Sequence, residues 1–242
     1  MIFNLFKSKP TLKELIPDGF VDIHSHILPA VDDGAKNIEE SLELISKMKE
    51  LGFYKIVGTP HTYQGLYNNT NFSIEKSYNL IKENLKEKIK VDYASEYMID
   101  DSLIKKSQEK SLLTIKKNYV LVEMSFISEP INLFEILFEI MINGYIPIIA
   151  HPERYRFLHR HKKKYEKLKN VGCKFQLNLL SVTDYYGKDV RKFSDFLLKN
   201  NFIDFVGSDI HNLTHLREFE NKVKVYELNK LENCVNSNSY FK

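Results

Sequence analysis

Two imidazoles stand one residue apart at the end of an extended apolar run: Phe20-Val21-Asp22-Ile23 leads into His24-Ser25-His26. Residues i and i+2 of a strand share a face, so His24 and His26 can reach one ion together. Neutral imidazole is the commonest nitrogen ligand for Zn, Mn, Fe and Ni. Alone, such a pair reads equally as packed or solvated histidines. The weight comes from what the other apolar runs end in. Lys55–Thr59 leads through Pro60 to His61, Lys90–Ser95 ends in Glu96, and Tyr119–Val122 ends in Glu123. Tyr145–Ala150 ends in His151, Lys174–Leu177 in Asn178, and Phe202–Gly207 in Ser208-Asp209-Ile210-His211. Each has a bland reading as a surface carboxylate or a satisfied core histidine. Jointly they do not, because no packing requirement gathers His, Glu and Asp at one set of strand ends. The pattern predicts a polynuclear metal site.

Helical segments separate these runs. Asn37 opens the first, with Glu40 three residues on as in a capping box, and Gly52 stops it. Further helices are predicted over Ser73–Lys88, from Ser128 and Pro130 to Gly144, over His161–Asn170 (its lysine run reads as a solvated face), and over 189–200. Seven strands alternating with helices predict a parallel sheet, closed as an α/β barrel, and barrel enzymes build their sites at the C-terminal strand ends. A chain of 242 residues with 43% hydrophobic content suits one domain over residues 1–242. A net charge of +3 demands no polyanionic partner, and no basic, aromatic-lined nucleic-acid stripe is evident. Cys173 and Cys234 form neither a Cys-x-x-Cys nor a Cys-x5-Arg signature, which argues against a thiolate metal site and a thiol-phosphate mechanism. No run of 18 apolar residues occurs, and a reducing cytoplasm is the expected compartment. Met1–Lys7 is apolar but too short for a signal peptide. It reads as a tail packed on the domain, with a membrane or partner surface as the alternative.

His24-Ser25-His26-Ile27-Leu28-Pro29 with Asp32-Asp33-Gly34, Thr59-Pro60-His61, His151-Pro152-Glu153-Arg154-Tyr155 and Ser208-Asp209-Ile210-His211-Asn212 together resemble one branch of the PHP (polymerase and histidinol phosphatase) superfamily. That branch is the metal-dependent bacterial protein-tyrosine phosphatases of capsule and exopolysaccharide synthesis, and the likeness spans about Val21 to Asn212. It implies a distorted (β/α)7 TIM-like barrel, the PHP fold, holding three divalent ions, manganese first and Fe, Zn, Co or Mg as alternatives. Carried over, one ion takes His24, His26, Glu96 and Asp209. A second takes Asp33, His61 and His211, and a third Glu123 and His151 with Glu96 as a bridge. Thr62 departs from the family, which often has a second histidine there.

The implied chemistry is phosphoryl hydrolysis, since clustered cations acidify a water and neutralise phosphoryl oxygens. Arg154, three residues past His151, is the expected fork on the phosphoryl group, with Arg217 as a second clamp in competition with Arg156 and Arg160. Asp209 is expected to take part in catalysis as well as in metal binding. The loop Tyr63-Gln64-Gly65-Leu66-Tyr67 either lines the mouth, with Tyr63 against the substrate ring, or merely packs. The family implies a phosphotyrosine protein as substrate, such as the tail of a bacterial tyrosine kinase. The competing readings are a histidinol-phosphate-type or nucleotide phosphoesterase, an exonuclease, and a metal-loaded binding module without activity.

Overall fold

The computed structural model describes residues 8–242, so the reading of Met1–Lys7 lies outside the described residues. In chain order the elements are α1 Leu12–Leu15, β1 Phe20–Ser25, α2 Ile38–Glu50, β2 Phe53–Gly58, β3 His61–Thr62, α3 Asn71–Asn84, β4 Lys90–Tyr93, β5 Glu96–Met98 and α4 Asp101–Gln108. There follow β6 Tyr119–Glu123, α5 Leu133–Ile142, β7 Ile146–Ala150, α6 Lys162–Asn170, β8 Lys174–Asn178, α7 Lys188–Lys199, β9 Phe205–Gly207, α8 Leu213–Arg217 and α9 Leu228–Ser237. Every strand pairing is parallel, in ladders β1-β2-β4 and β3-β5-β6-β7-β8-β9.

The two ladders are one ring of seven strand positions. Only Thr59-Pro60 separates β2 from β3, and only Ala94-Ser95 separates β4 from β5. Pro60 has no N–H to give a ladder, which breaks the pairing there. Its carbonyl still accepts from Glu96 N–H at 3.1 Å. The ring closes where Asp209 N–H donates to His24 O (2.8 Å) and His26 N–H to Ile210 O (2.9 Å). Asp22, buried in β1, accepts from Ser208 N–H (2.9 Å) and ties the same seam. The sequence-predicted barrel is the observed architecture. Several boundaries differ: Glu96 opens a strand segment instead of ending one, the helix expected over Ser73–Lys88 is Asn71–Asn84, the helix expected from Ser128 and Pro130 is Leu133–Ile142, and the last strand begins at Phe205. The capping box is also incomplete, since Glu40 accepts from Lys36 N–H, not from Asn37.

One cluster of buried side chains comes from almost every strand position, including Val21, Ile23, Val57, Leu121, Ile148 and Phe205, and only a barrel interior brings these together. Phe241 closes its lower end, its ring 4.8 Å from Phe205. A second, larger cluster packs the helices on the outside. With the interior filled from below, the polar strand ends are left converging at the top. No helix among the described residues is long and apolar enough to cross a membrane.

Candidate metal centre

Four donor atoms, from β1 and the residue just after it, from β5 and from the turn after β9, converge above the barrel interior. His24 Nε2 lies 3.2 Å from His26 Nε2, 3.2 Å from Glu96 Oε2 and 3.3 Å from Asp209 Oδ1. His26 Nε2 lies 3.5 Å from Glu96 Oε2 and 3.2 Å from Asp209 Oδ1. Two ligands about 2.1 Å from one ion, at angles between right and tetrahedral, stand about 3.0–3.4 Å apart. Four of these five separations fall in that range, and the fifth, His26 to Glu96, is 3.5 Å.

Tautomers strengthen the fit. His24 Nδ1 is 2.7 Å from Gln176 Oε1, while Gln176 Nε2 donates to Leu177 O at 2.8 Å, so the amide oxygen accepts from the imidazole. His26 Nδ1 donates to Asp32 Oδ2 at 2.6 Å. With both Nδ1 atoms as donors, the two Nε2 atoms face each other and two carboxylates. Such a set calls for positive charge between its members, a metal cation or, in its absence, protons. Glu96 Oε2, His61 Nδ1 and His151 Nδ1 are buried without a hydrogen-bond partner. Burial lowers the basicity of His24, but Glu96 and Asp209 outweigh it and raise the pKa to about 10. Burial would raise Glu96; the imidazoles of His24 and His61 hold it well below the usual carboxylate range.

Around this tetrad sit the remaining expected residues. His61 Nε2 and His211 Nε2 each lie 3.6 Å from Asp33 Oδ1, and His211 draws the Asp33 carboxyl down to about 2. Glu123 Oε1 lies 2.8 Å and Glu96 Oε2 3.1 Å from His61 Nδ1. His151 Nε2 is 3.0 Å from Glu96 Oε1 but 4.0 Å from Glu123. Three further groupings could hold ions: His26 with Asp33, His61 and His211; His61 with Glu96 and Glu123; and His24 with His151 and Asp209. These groupings differ from the expected partition: His61 stands nearer Glu123 than His151 does, His151 groups with His24 and Asp209, and His26 joins Asp33, His61 and His211. The backbone is bent to aim these groups: His151 (φ 34°) and Asp209 (φ 52°) are left-handed, a conformation costing about 1–3 kcal/mol. A Cβ on Gly207 would meet Gln176 Nε2 at 2.6 Å and His24 Cβ at 2.7 Å, so only glycine lets Gln176 reach His24. Replacing Gln176 by alanine is expected to weaken metal binding about 10–100-fold, measured by chelator competition. Unchanged affinity would show that the Nδ1 bond does not orient His24.

A cleft of about 340 Å³ opens over the cluster, lined among others by Phe126, Arg154, Tyr185, Tyr186 and His215. Arg154 Nη1 donates to Asp209 Oδ2 at 2.7 Å, and the guanidinium lies between the rings of Phe126 (4.6 Å) and Tyr186 (4.0 Å). Asn178 Nδ2 also donates to Asp209 Oδ2 (2.7 Å), and buried Glu153 accepts from Asn178 N–H (3.0 Å) and Ser181 Oγ (2.6 Å). Asp209 therefore turns one oxygen to the tetrad and the other to Arg154 and Asn178.

Two sequence expectations fail. Arg217 is exposed on the outer face with Lys13, Glu43 and Glu220, because Leu216 takes the inward position of α8 and turns its neighbour away. Tyr63 does not line the cleft. Its backbone pairs with Tyr67, and it is the Tyr67 ring that stacks on His61 at 5.3 Å. The sequence reading also passed over Phe126, Tyr186, His215 and Gln176. Only Asn178 carried a signal, as the polar end of its strand.

Comparison with known proteins agrees with this geometry. The family model for capsular polysaccharide synthesis, CpsB/CapC, matches residues 20–228. Tyrosine-protein phosphatase YwqE of Bacillus subtilis is 33% identical over 214 residues, 87% of this chain and 84% of that protein. Tyrosine-protein phosphatase CpsB of Streptococcus agalactiae serotype V is 31% identical over 202 residues, 80% and 83% of the two chains. Among solved structures, work on B. subtilis YwqE and Streptococcus pneumoniae CpsB, described as unique metal-dependent tyrosine phosphatases, provides a match at TM-score 0.74 and 30% identity. It covers 88% of this chain and 86% of that one. A barrel whose strand ends converge on metal-ligating side chains, matched along most of its length, places this chain in the CpsB/CapC family of capsular polysaccharide synthesis.

Proposed function

We propose that this chain is a metal-dependent protein-tyrosine phosphatase, acting as one unit over residues 1–242 in the cytoplasm. The observation that carries the reading is the four-atom convergence of His24, His26, Glu96 and Asp209 with Arg154 held on the far oxygen of Asp209. His24, His26, Asp33, His61, Glu96, Glu123, His151, Asp209 and His211 are the proposed ligands, for three divalent ions with manganese first. Bound there, such ions supply an activated water and neutralise phosphoryl oxygens. The Arg154 guanidinium spends one Nη1 donor on Asp209 and makes no other hydrogen bond among the described residues, so its remaining donors serve the phosphoryl group. Asp209 and Asn178 fix its direction. The rings of Phe126 and Tyr186 pack against the guanidinium and shield it from water.

The cleft walls support an aromatic ester. Phe126 and Tyr185 are half-exposed at its mouth, where an aryl phosphate ring can stack, and a phenolate leaves without a strong acid behind it. The natural substrate on this reading is a phosphotyrosine tail of a bacterial tyrosine kinase in the capsule or exopolysaccharide system. On matched peptides, kcat/KM for phosphotyrosine is expected to exceed that for phosphoserine, and that for histidinol phosphate, by at least ~10²-fold. Preference for either competitor would overturn the substrate while leaving the metal centre standing.

A further inference from the structure

Exposed apolar side chains are concentrated on one side of the barrel. Among the described residues, nine exposed Phe, Leu, Ile and Val side chains occur, and Phe126, Ile127, Ile131, Phe138 and Ile142 are five of them. Ile131 is fully exposed and Ile127 is 88% exposed. At ~100° per residue, Phe138 and Ile142 fall about 40° apart on the outer face of α5, and Ile131 stands in the turn just before that helix. The opposite face of α5 buries Leu133, Ile136, Leu137 and Ile140. One edge of this stripe adjoins α6. Lys167 Nζ stands 3.9 Å over the Phe134 ring, and a Cβ on Gly172 would lie 3.7 Å from Met141 Sδ. Residues 156–170 hold seven Lys or Arg against one acid, Glu166, in a chain whose whole net charge is only +3. Arg156, Arg160, Lys162, Lys163 and Lys167 are exposed, though Lys162 reaches over Phe196 of α7 and Arg156 donates to Tyr186 O. The stripe's other edge carries Glu135 and Glu139, toward α4, which brings Lys105 and Lys106.

We propose that the outer face of α5 and α6 docks this protein on an anionic lipid bilayer. An apolar stripe with lysines along one edge is the composition that sinks into the headgroup boundary while its cations meet anionic headgroups. A protein partner commonly anchors aromatic side chains in shaped pockets. Here the apolar residues stand on a convex helical face, and none of the molecule's principal cavities is lined by Ile127, Ile131, Phe138 or Ile142. A fluid surface needs no pocket. Phe126 belongs both to the stripe and to the cleft, so docking sets the cleft mouth beside the bilayer, within reach of protein tails at its surface.

Co-sedimentation of the full chain with phosphatidylglycerol–phosphatidylcholine vesicles, against phosphatidylcholine alone, tests this without reference to turnover. Binding is expected only to the anionic vesicles and to weaken with salt. Phe138→Glu with Ile142→Glu should reduce it at least ~10-fold, as should Lys163→Glu with Lys167→Glu. Circular dichroism and hydrolysis of a soluble aryl phosphate should be unchanged in both variants. Absence of binding to the anionic vesicles, equal binding to both vesicles, or full binding by both variants would overturn the proposal. So would a drop in oligomeric state in the Phe138/Ile142 variant with vesicle binding intact, which would make the stripe a self-association face.

Discussion

Replacing His24 by alanine is expected to lower kcat/KM by at least ~10³-fold, roughly 4 kcal/mol of transition-state stabilisation. Elemental analysis should show more than one divalent ion per chain in the active protein and fewer in the variant, and chelation should abolish activity. The barrel should survive, because the interior packing of Val21, Ile23, Leu121 and Ile148 is complete beneath the ligands. Wild-type turnover after chelation would remove the metal centre from the mechanism, and a molten circular-dichroism spectrum would make the ions structural. A pH signature accompanies this. In the ion-free protein Glu96 and Asp209, working against burial, raise His24 from 6.5 to about 10. The folded chain then holds that proton more tightly than the unfolded chain, so its stabilisation is full below pH 6.5 and lost as pH rises toward 10. Metal competes for the same site and binds better as protons leave. The Tm difference between loaded and chelated protein should therefore widen across that range. A constant difference would mean that ions and protons do not share His24.

What could be read in the chain was residue type at repeated positions. His61, Glu123, His151, Asp209 and the His24/His26 pair follow apolar runs, and a ring of parallel strands brings all such ends to one rim whatever the detailed register. The family likeness rested on the motifs around His24 and His26, Asp32-Asp33-Gly34, His61, His151 to Tyr155 and Asp209, and the matched relatives bear it out. Glu96 was found but misplaced in its element, because the break at Thr59-Pro60 and Ala94-Ser95 depends on pairing between strands far apart in sequence. Support residues were harder. Gln176 reaches His24 across 152 positions, and only the absence of a Cβ on Gly207 permits it. Arg217 went wrong by one residue of helix phase, which periodicity cannot resolve in the five residues of α8. The cleft's aromatic walls come from irregular segments after β6 and β8, where neither period of three to four nor period of two gives a direction.

Arg154 is where the support residues and the chemistry meet. Its substitution by alanine is expected to lower kcat/KM by about 10²-fold or more, roughly 2.7 kcal/mol, with metal content unchanged. Guanidinium is no metal ligand, and the tetrad reaches Asp209 through Oδ1 while Arg154 binds Oδ2. Arg154→Lys should recover little of the loss. Lysine keeps the charge but lacks the planar fork, and it has no plane to pack against Phe126 and Tyr186. Comparing the two variants separates charge from geometry. Recovery by lysine would mean that a point charge suffices, whereas equal loss means that the direction imposed by Asp209, Phe126 and Tyr186 is what the reaction uses. Loss of metal in the alanine variant would instead make Arg154 a brace for Asp209, since removing it leaves that carboxylate only Asn178 on its outer oxygen. Near wild-type turnover would show that the ions alone hold the phosphoryl charge. Metal analysis and kinetics on the same two samples distinguish these outcomes.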